Sequence, residues 1–137
     1  MDADNHVEDL VNLVFEVTGR LRNGFNATAS ELGLPPAQAL ALTRLDAPAP
    51  MRDLAEWLSC DASNVTGIVD GLEQRGLVTR EPSPTDRRVK FLVLTKAGER
   101  KRAELNTLTT TKATQLFKLP AGEQKQLREL LTKVLAE

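Results

Sequence analysis

MRDLAEWL at positions 51–58 and DASNVTGIVDGLEQRG at positions 61–76 are the two segments that decide the fold. Apolar residues recur in both at the spacing of one helical face: Met51, Leu54, Ala55 and Leu58 in the first, and Val65, Ile68, Val69 and Leu72 in the second. Asp61 or Ser63 is placed to cap the second helix, and Gly76 suits the left-handed residue that ends it. Two short helices separated by a brief turn predict a helix-turn-helix.

After Gly76 the spacing of apolar residues changes from that of helices to that of strands. Residues 77–80 and 89–94 contain β-branched and apolar side chains, and they predict two strands. The polar residues 81–88 between them include two prolines and predict a turn. The pattern is that of a β-hairpin, which follows the helix-turn-helix as a wing.

Two further helices are predicted before the helix-turn-helix. Apolar residues at helical spacing predict one long amphipathic helix from the first residues to near Gly33. Its apolar stripe is longer than a small domain can cover, so it needs a later helix or another subunit as a partner. A second helix is predicted to start at Pro35 or Pro36, because proline suits the first helical turn. Residues 46–50 predict a proline-rich breaker loop.

Two more helices are predicted after the hairpin. Thr95 is expected to cap a helix that runs from Lys96 to about Phe117, and a last helix is predicted from Pro120. The last helix carries an apolar stripe of Leu127, Leu130, Leu131, Val134 and Leu135. The fold class predicted for the chain is therefore mainly α with a small β-hairpin wing.

The composition excludes several classes of function. The 137 residues are 41% hydrophobic, enough for one domain with its own core. The single cysteine (Cys60) and the single histidine (His6, expected at the surface) argue against a disulfide, a metal site or a cofactor. An enzyme would have to use carboxylates alone, which is the weakest interpretation. The chain contains no apolar run near the ~20 residues that span a bilayer, and its polar start differs from a secretory signal, so a cytoplasmic location is expected.

The charge is unevenly distributed along a chain of formal net charge −1. Residues 75–102 contain nine basic and three acidic residues, a net charge of +6, whereas the remaining residues have a net charge of −7. Neutralising the phosphates of a nucleic acid requires clustered lysine and arginine. The basic segment, which includes the predicted wing, therefore favours a localised polyanion-binding face over an evenly solvated surface.

The second helix of the helix-turn-helix has the composition of a helix that enters a DNA groove. The side opposite its apolar stripe carries small polar residues and glycine: Ser63, Asn64, Thr66, Gly67, Asp70 and Gly71. Small side chains let a helix approach DNA within a major groove ~12 Å wide. Asn64 could pair with an adenine edge. The alternative is that Ser63 and Asn64 only cap the helix, and the two roles are compatible.

The predicted wing places two arginines at the tip of a hairpin. Arg87 and Arg88 are positioned to reach a narrow minor groove, where the negative potential attracts arginine. Asp86 would be repelled by phosphate, so we expect it to orient one of these arginines by ion pairing. Three further residues are predicted to flank the tip as phosphate contacts: Arg75, Arg80 and Lys90.

These segments resemble the MarR family of bacterial transcriptional regulators. The resemblance is carried by MRDLAEWL at 51–58, DASNVTGIVDGLEQRGLV at 61–78, TDRR at 85–88 and VLTKAG at 93–98. LPPAQAL at 34–40 is similar to the family's entry into its DNA-binding lobe. The order and spacing of these blocks cover nearly the whole chain.

The resemblance implies a homodimer that binds double-stranded DNA. Residues 1–33 and 96–137 would intertwine with those of a second subunit, and each 34–95 lobe would read half of a pseudo-palindromic operator. Members of the family are commonly repressors, and many release DNA when a small aromatic or phenolic effector binds between the two regions. Residues predicted to line such a pocket, if they do not simply belong to the core, are Phe15, Phe25, Leu42 and Trp57.

Three features of the sequence depart from the family pattern. The proline-rich loop at 46–50 argues against the short first strand that usually pairs with the wing hairpin. Gly71 stands where many relatives carry a basic residue. Cys60 lies beside the recognition helix, whereas peroxide-sensing relatives use a cysteine in the first helix, so an inert thiol is favoured over redox sensing. A winged module that binds protein instead of DNA is the alternative function.

Overall fold

The computed structural model describes residues 2–58 and 62–136, which form six helices and three strands. In chain order they are α1 (Asp2–Glu31), α2 (Pro36–Arg44), β1 (Ala49–Pro50), α3 (Met51–Leu58), α4 (Ala62–Gln74), β2 (Val78–Pro82), β3 (Lys90–Leu94), α5 (Lys96–Leu116) and α6 (Ala121–Leu135). The predicted fold class, mainly α with a small β-hairpin wing, is confirmed. No helix within the described ranges is long and apolar enough to cross a membrane.

The strands form one antiparallel sheet in the order β1-β3-β2. The hairpin pairs β2 with β3, placing Arg80 opposite Leu92. On its other side Leu92 faces Ala49 of β1, so the expectation that the loop at 46–50 forms no strand was wrong. Proline is tolerated at a sheet edge because its missing N–H removes no ladder bond there, and β1 is a two-residue edge strand that ends at Pro50.

The hydrophobic core lies inside the central lobe and extends to α5. Its fully buried side chains come from helices α2 to α5 and from strands β2 and β3: Leu42, Leu54, Val69, Leu72, Val78, Leu92 and Leu105. The apolar stripe of α4 therefore faces inward, as its spacing predicts. Leu105 brings α5 into the same core, so the helix that follows the wing is packed against the helix-turn-helix lobe.

The ends of α4 and the hairpin meet at the start of α5. Gly76 ends α4 in the left-handed conformation, with φ of 73°, as predicted. The Thr95 hydroxyl donates to the Gly76 carbonyl at 2.6 Å and accepts from the Gly98 N–H at 3.0 Å, so Thr95 is the cap that the sequence predicts. A Cβ on Gly98 would lie 2.0 Å from the carbonyl oxygen of Leu77, so only glycine allows this approach.

Two helices leave their apolar stripes open to solvent in the single chain. None of the residues of α6 is buried. The exposed large hydrophobic side chains of these helices are Val7, Leu10, Val11, Leu13, Val14, Phe15 and Leu21 on α1, and Leu130, Leu131, Val134 and Leu135 on α6. Exposed apolar area of this extent is typical of an interface with another molecule.

Candidate nucleic-acid interface

The outward face of α4 carries the residues that the sequence assigns to base reading. Val65 and Val69 are buried, and Asn64, Thr66, Gly67 and Asp70 are exposed. This division follows from the helical period, which puts positions three and four apart on one face. The side chain of Ser63, together with Ser59, Cys60 and Asp61, lies outside the described part of the chain.

The wing tip presents its predicted cations to solvent. Arg87, Arg88 and Lys90 are all exposed, and the side chain of Arg88 retains 91% of its accessible surface. Asp86 accepts from the Arg88 backbone N–H at 3.1 Å and from its Nε at 3.2 Å, so Asp86 orients this arginine as expected. These bonds, first the side-chain bond and then the backbone bond, lower the pKa of Asp86 below its ordinary value.

Hydrogen bonds within the turn give the wing tip a defined shape. The N–H of Ser83 donates to the Val89 carbonyl at 2.8 Å, and the N–H of Val89 donates to the Asp86 carbonyl at 3.0 Å. The buried Ser83 side chain accepts from the N–H of Thr85 at 3.2 Å. The turn therefore holds its arginines on a hydrogen-bonded backbone, so little conformational entropy of the backbone remains to be lost on binding a ligand.

Arg80 differs from the other predicted phosphate contacts. Its side chain turns back to α4, where Nη2 donates to Asp70 and Nε lies 3.4 Å from a carboxylate oxygen of Glu73. Arg75 is exposed and directly follows the last residue of α4. The sequence did not indicate the cluster, although Asp70 and Glu73 are three residues apart on α4 and therefore share a face.

A groove of about 490 Å³ runs along the α4 face between α2 and α4. Asn64 and Gly67 line it from α4, and Gln38 lines it from α2. A Cβ on Gly71 would lie 2.2 Å from Nε2 of Gln38. A side chain at position 71 would have to move the end of the flexible Gln38 side chain, which costs little, so this contact does not by itself require glycine.

The four residues predicted to line an effector pocket occupy different environments in the single chain, although Phe25 and Trp57 both pack against the core that contains Leu42. Phe15 is 72% exposed on α1, Leu42 is fully buried in the core, and Trp57 packs against the core from α3. Phe25 alone of the four lines the cavity of about 220 Å³ between α1 and α5. Helical spacing identifies apolar faces but does not distinguish a core, a subunit interface and a pocket, which explains the scatter.

Comparison with known proteins identifies relatives across most of the chain. The model of the MarR family matches residues 34–90, from the approach to α2 to the first residue of β3. The HTH-type transcriptional regulator MgrA of Staphylococcus aureus is 31% identical over 112 residues, which are 80% of this chain and 76% of that protein. The HTH-type transcriptional regulator MhqR of Bacillus subtilis is 39% identical over 49 residues, 36% of this chain and only 34% of that protein.

Solved structures share the whole architecture. A cysteine-to-serine mutant of MarR from E. coli, complexed with operator DNA, is 30% identical with a TM-score of 0.73, over 96% of this chain and 97% of that one. CouR from Rhodococcus jostii RHA1, bound to p-coumaroyl-CoA, is 29% identical with a TM-score of 0.72, over 93% of this chain and 92% of that one. The family model, the MgrA alignment and the shared winged fold show that this chain belongs to the MarR family, whose members regulate transcription and are not enzymes.

Proposed function

We propose that the chain binds double-stranded DNA as a homodimer and represses transcription from a pseudo-palindromic operator. The observation that carries the proposal is the presence, on one lobe, of an exposed polar face on α4 and an ordered wing tipped with arginines. A structural neighbour, MarR from E. coli, is complexed with operator DNA, which supports this role for the lobe. Because DNA is its proposed ligand, the protein would act in the cytoplasm.

The proposed contacts divide between the two grooves of the duplex. Base reading falls to the outward face of α4 in the major groove, through Ser63, Asn64, Thr66 and Gly67. Arg87 and Arg88 enter the adjacent minor groove, where a narrow groove concentrates negative potential. Lys90 and Arg75 are proposed as phosphate contacts, which supply affinity but no sequence information.

The proposed dimer uses the apolar surfaces that the single chain leaves open. Val14 and Phe15 on α1 are 52% and 72% exposed, and Leu130 on α6 is 55% exposed. Pairing residues 1–33 and 96–137 with those of a second copy would bury both stripes and gain roughly 25 cal/mol for each Å² of apolar surface. The two 34–95 lobes would then be related by a two-fold axis, which is the symmetry that a pseudo-palindrome requires.

A small aromatic effector is proposed to act through the cavity between α1 and α5. The cavity combines apolar walls, including Leu21 and Phe25, with two cations, Arg20 and Lys112. Lys112 forms an ion pair with Glu31 at 2.9 Å. An anionic ligand could replace Glu31 as the partner of Lys112. CouR, a neighbour of the same fold, binds p-coumaroyl-CoA, which supports screening phenolic acids and their thioesters.

The experiment that tests the proposal selects bound sequences from random DNA duplexes. We expect an enriched site with two inverted halves, bound by a dimer in sedimentation analysis. Leu130→Asp should yield monomers that lose high-affinity binding, whereas Arg128→Asp, which puts the same carboxylate at an exposed basic position of α6, should remain dimeric. Retention of a protein partner without any bound DNA at low salt would favour the protein-binding module.

A further inference from the structure

Arg80 stands apart from the exposed cations of the wing. It lies in the middle of β2, on the same side of the strand as the buried Val78, and 28% of its side-chain surface is accessible. Arg88 at the tip retains 91%. Arg80 therefore faces α4 across the lobe, while the tip arginines face solvent.

The contacts of Arg80 join the wing to the proposed recognition helix. Nη2 donates to Oδ1 of Asp70, and Nε lies within ion-pair distance of Glu73, at 3.4 Å from Oε1. The two acidic residues lie one turn apart on α4, and Arg80 lies between them on the strand that follows. One guanidinium thus links the hairpin to two positions of α4.

We propose that Arg80 is a positioning residue, which fixes the angle of the wing against α4 and neutralises Asp70. Asp70 is then an anchor for the wing and does not read bases. The inference rests on the proposed DNA binding and names a determinant of it. Contact with a phosphate would require Arg80 to leave both carboxylates, and an unpaired Asp70 on the outward face of α4 would repel the duplex.

The physical reason for such a link lies in how the hairpin is attached. At its base, Thr95 ties the hairpin to the end of α4 through the Gly76 carbonyl. Between this base and the tip, the Arg80 cluster is the ion-paired link from the hairpin to α4 among the residues that the structure describes. A half-exposed ion pair adds little to folding stability. Its effect is expected on the affinity for the operator, because α4 and the wing tip must fit their two grooves at the same time.

Binding of the selected operator by four proteins tests the proposal: wild type, Arg80→Met, Asp70→Asn and the double variant. We expect each single variant to bind the operator about tenfold more weakly, within the range of coupling between paired side chains. The double variant should bind no more weakly than Arg80→Met. The slope of log affinity against log salt should remain that of the wild type, because no phosphate contact is lost.

Opposite results overturn the proposal. If Arg80 binds a phosphate, Asp70→Asn frees the cation and tightens binding, and Arg80→Met lowers the salt slope by about 0.9 for each copy. Additive losses in the double variant would also refute it. Thermal unfolding checks that each variant is folded. If Arg80→Met does not fold, the operator affinity of Asp70→Asn decides alone: weaker binding supports the proposal, and tighter binding refutes it. Failure of the proposed function is recognised separately, by a wild-type protein that retains no duplex.

Discussion

The replacement of Arg88 by alanine is the sharpest test of the wing. Arg88 has the largest exposure among the ion-paired arginines of the described chain, and it is held at the tip by the Asp86 carboxylate. The replacement removes one cation from the tip and no apolar contact of the core. We therefore expect the fold and the dimer to be unaffected and DNA binding to weaken.

The magnitude follows from the release of counterions. Each lysine or arginine that neutralises a phosphate adds about 0.9 to the slope of log affinity against log salt concentration. A symmetric dimer carries Arg88 twice, so the variant should have a slope lower by about 1.8. Between about 50 and 200 mM salt, this difference changes the ratio of wild-type to variant affinity by roughly twelvefold.

The assay is fluorescence anisotropy with labelled operator at four or more salt concentrations. The slope is the readout, because the Asp86 carboxylate left behind also repels phosphate and lowers the affinity at any one concentration. Arg20→Ala is the matched control: Arg20 is an exposed arginine paired with Glu16 at 2.9 Å, but it lies on α1. An unchanged slope in a folded, dimeric Arg88→Ala protein would refute the assignment of the wing to DNA.

Three further predictions concern other residues. Gly98→Ala should lower the free energy of unfolding by about 2–4 kcal/mol in chemical denaturation, because its Cβ would meet a backbone carbonyl at 2.0 Å. The control is Gly122→Ala, which has open space around it and should change the free energy of unfolding by less than about 1 kcal/mol. Gly67→Ala should stabilise the fold by up to about 1 kcal/mol yet weaken operator binding, because the added methyl group stands between α4 and the duplex; tighter binding would exclude a close approach. A titration followed by NMR should place the pKa of the Asp86 carboxyl below the ordinary aspartate value of about 3.9. The bonds of Asp86 to Arg88 therefore stabilise the tip at neutral pH and are lost as the pH falls through the lowered pKa. Arg88→Ala should return the pKa of Asp86 toward the ordinary value.

The helices and the hairpin were predictable because their signals are local. The apolar period of 51–58 and 62–74 places α3 and α4, and Gly76 and Thr95 mark the ends of elements through backbone conformation and capping. The short strand β1 was not predictable in this way. Two residues carry no period, and their pairing depends on a partner strand about forty positions later in the chain.

The candidate site was predictable at its tip and less so behind it. The exposed arginines follow from a polar turn between two strands, and the pairing of Asp86 with Arg88 follows from their closeness in sequence. The contacts of Arg80 depend on how the hairpin folds back on α4, which no local pattern records. The cavity beside Phe25 likewise depends on how α1 crosses α5.

The contacts of Thr95 with Gly76 and Gly98 attach the start of α5 to the base of the wing, so the two should move together. The helix begins at the base of the wing, and its later turns, at Thr109 and Lys112, form a wall of the cavity against α1. Eleven to fourteen residues of helix separate the two places, a distance of about 20 Å along the axis. Over this length, a tilt of ~5° at the cavity would move the base of the wing by nearly 2 Å, so any ligand that shifts α5 there would also shift the wing.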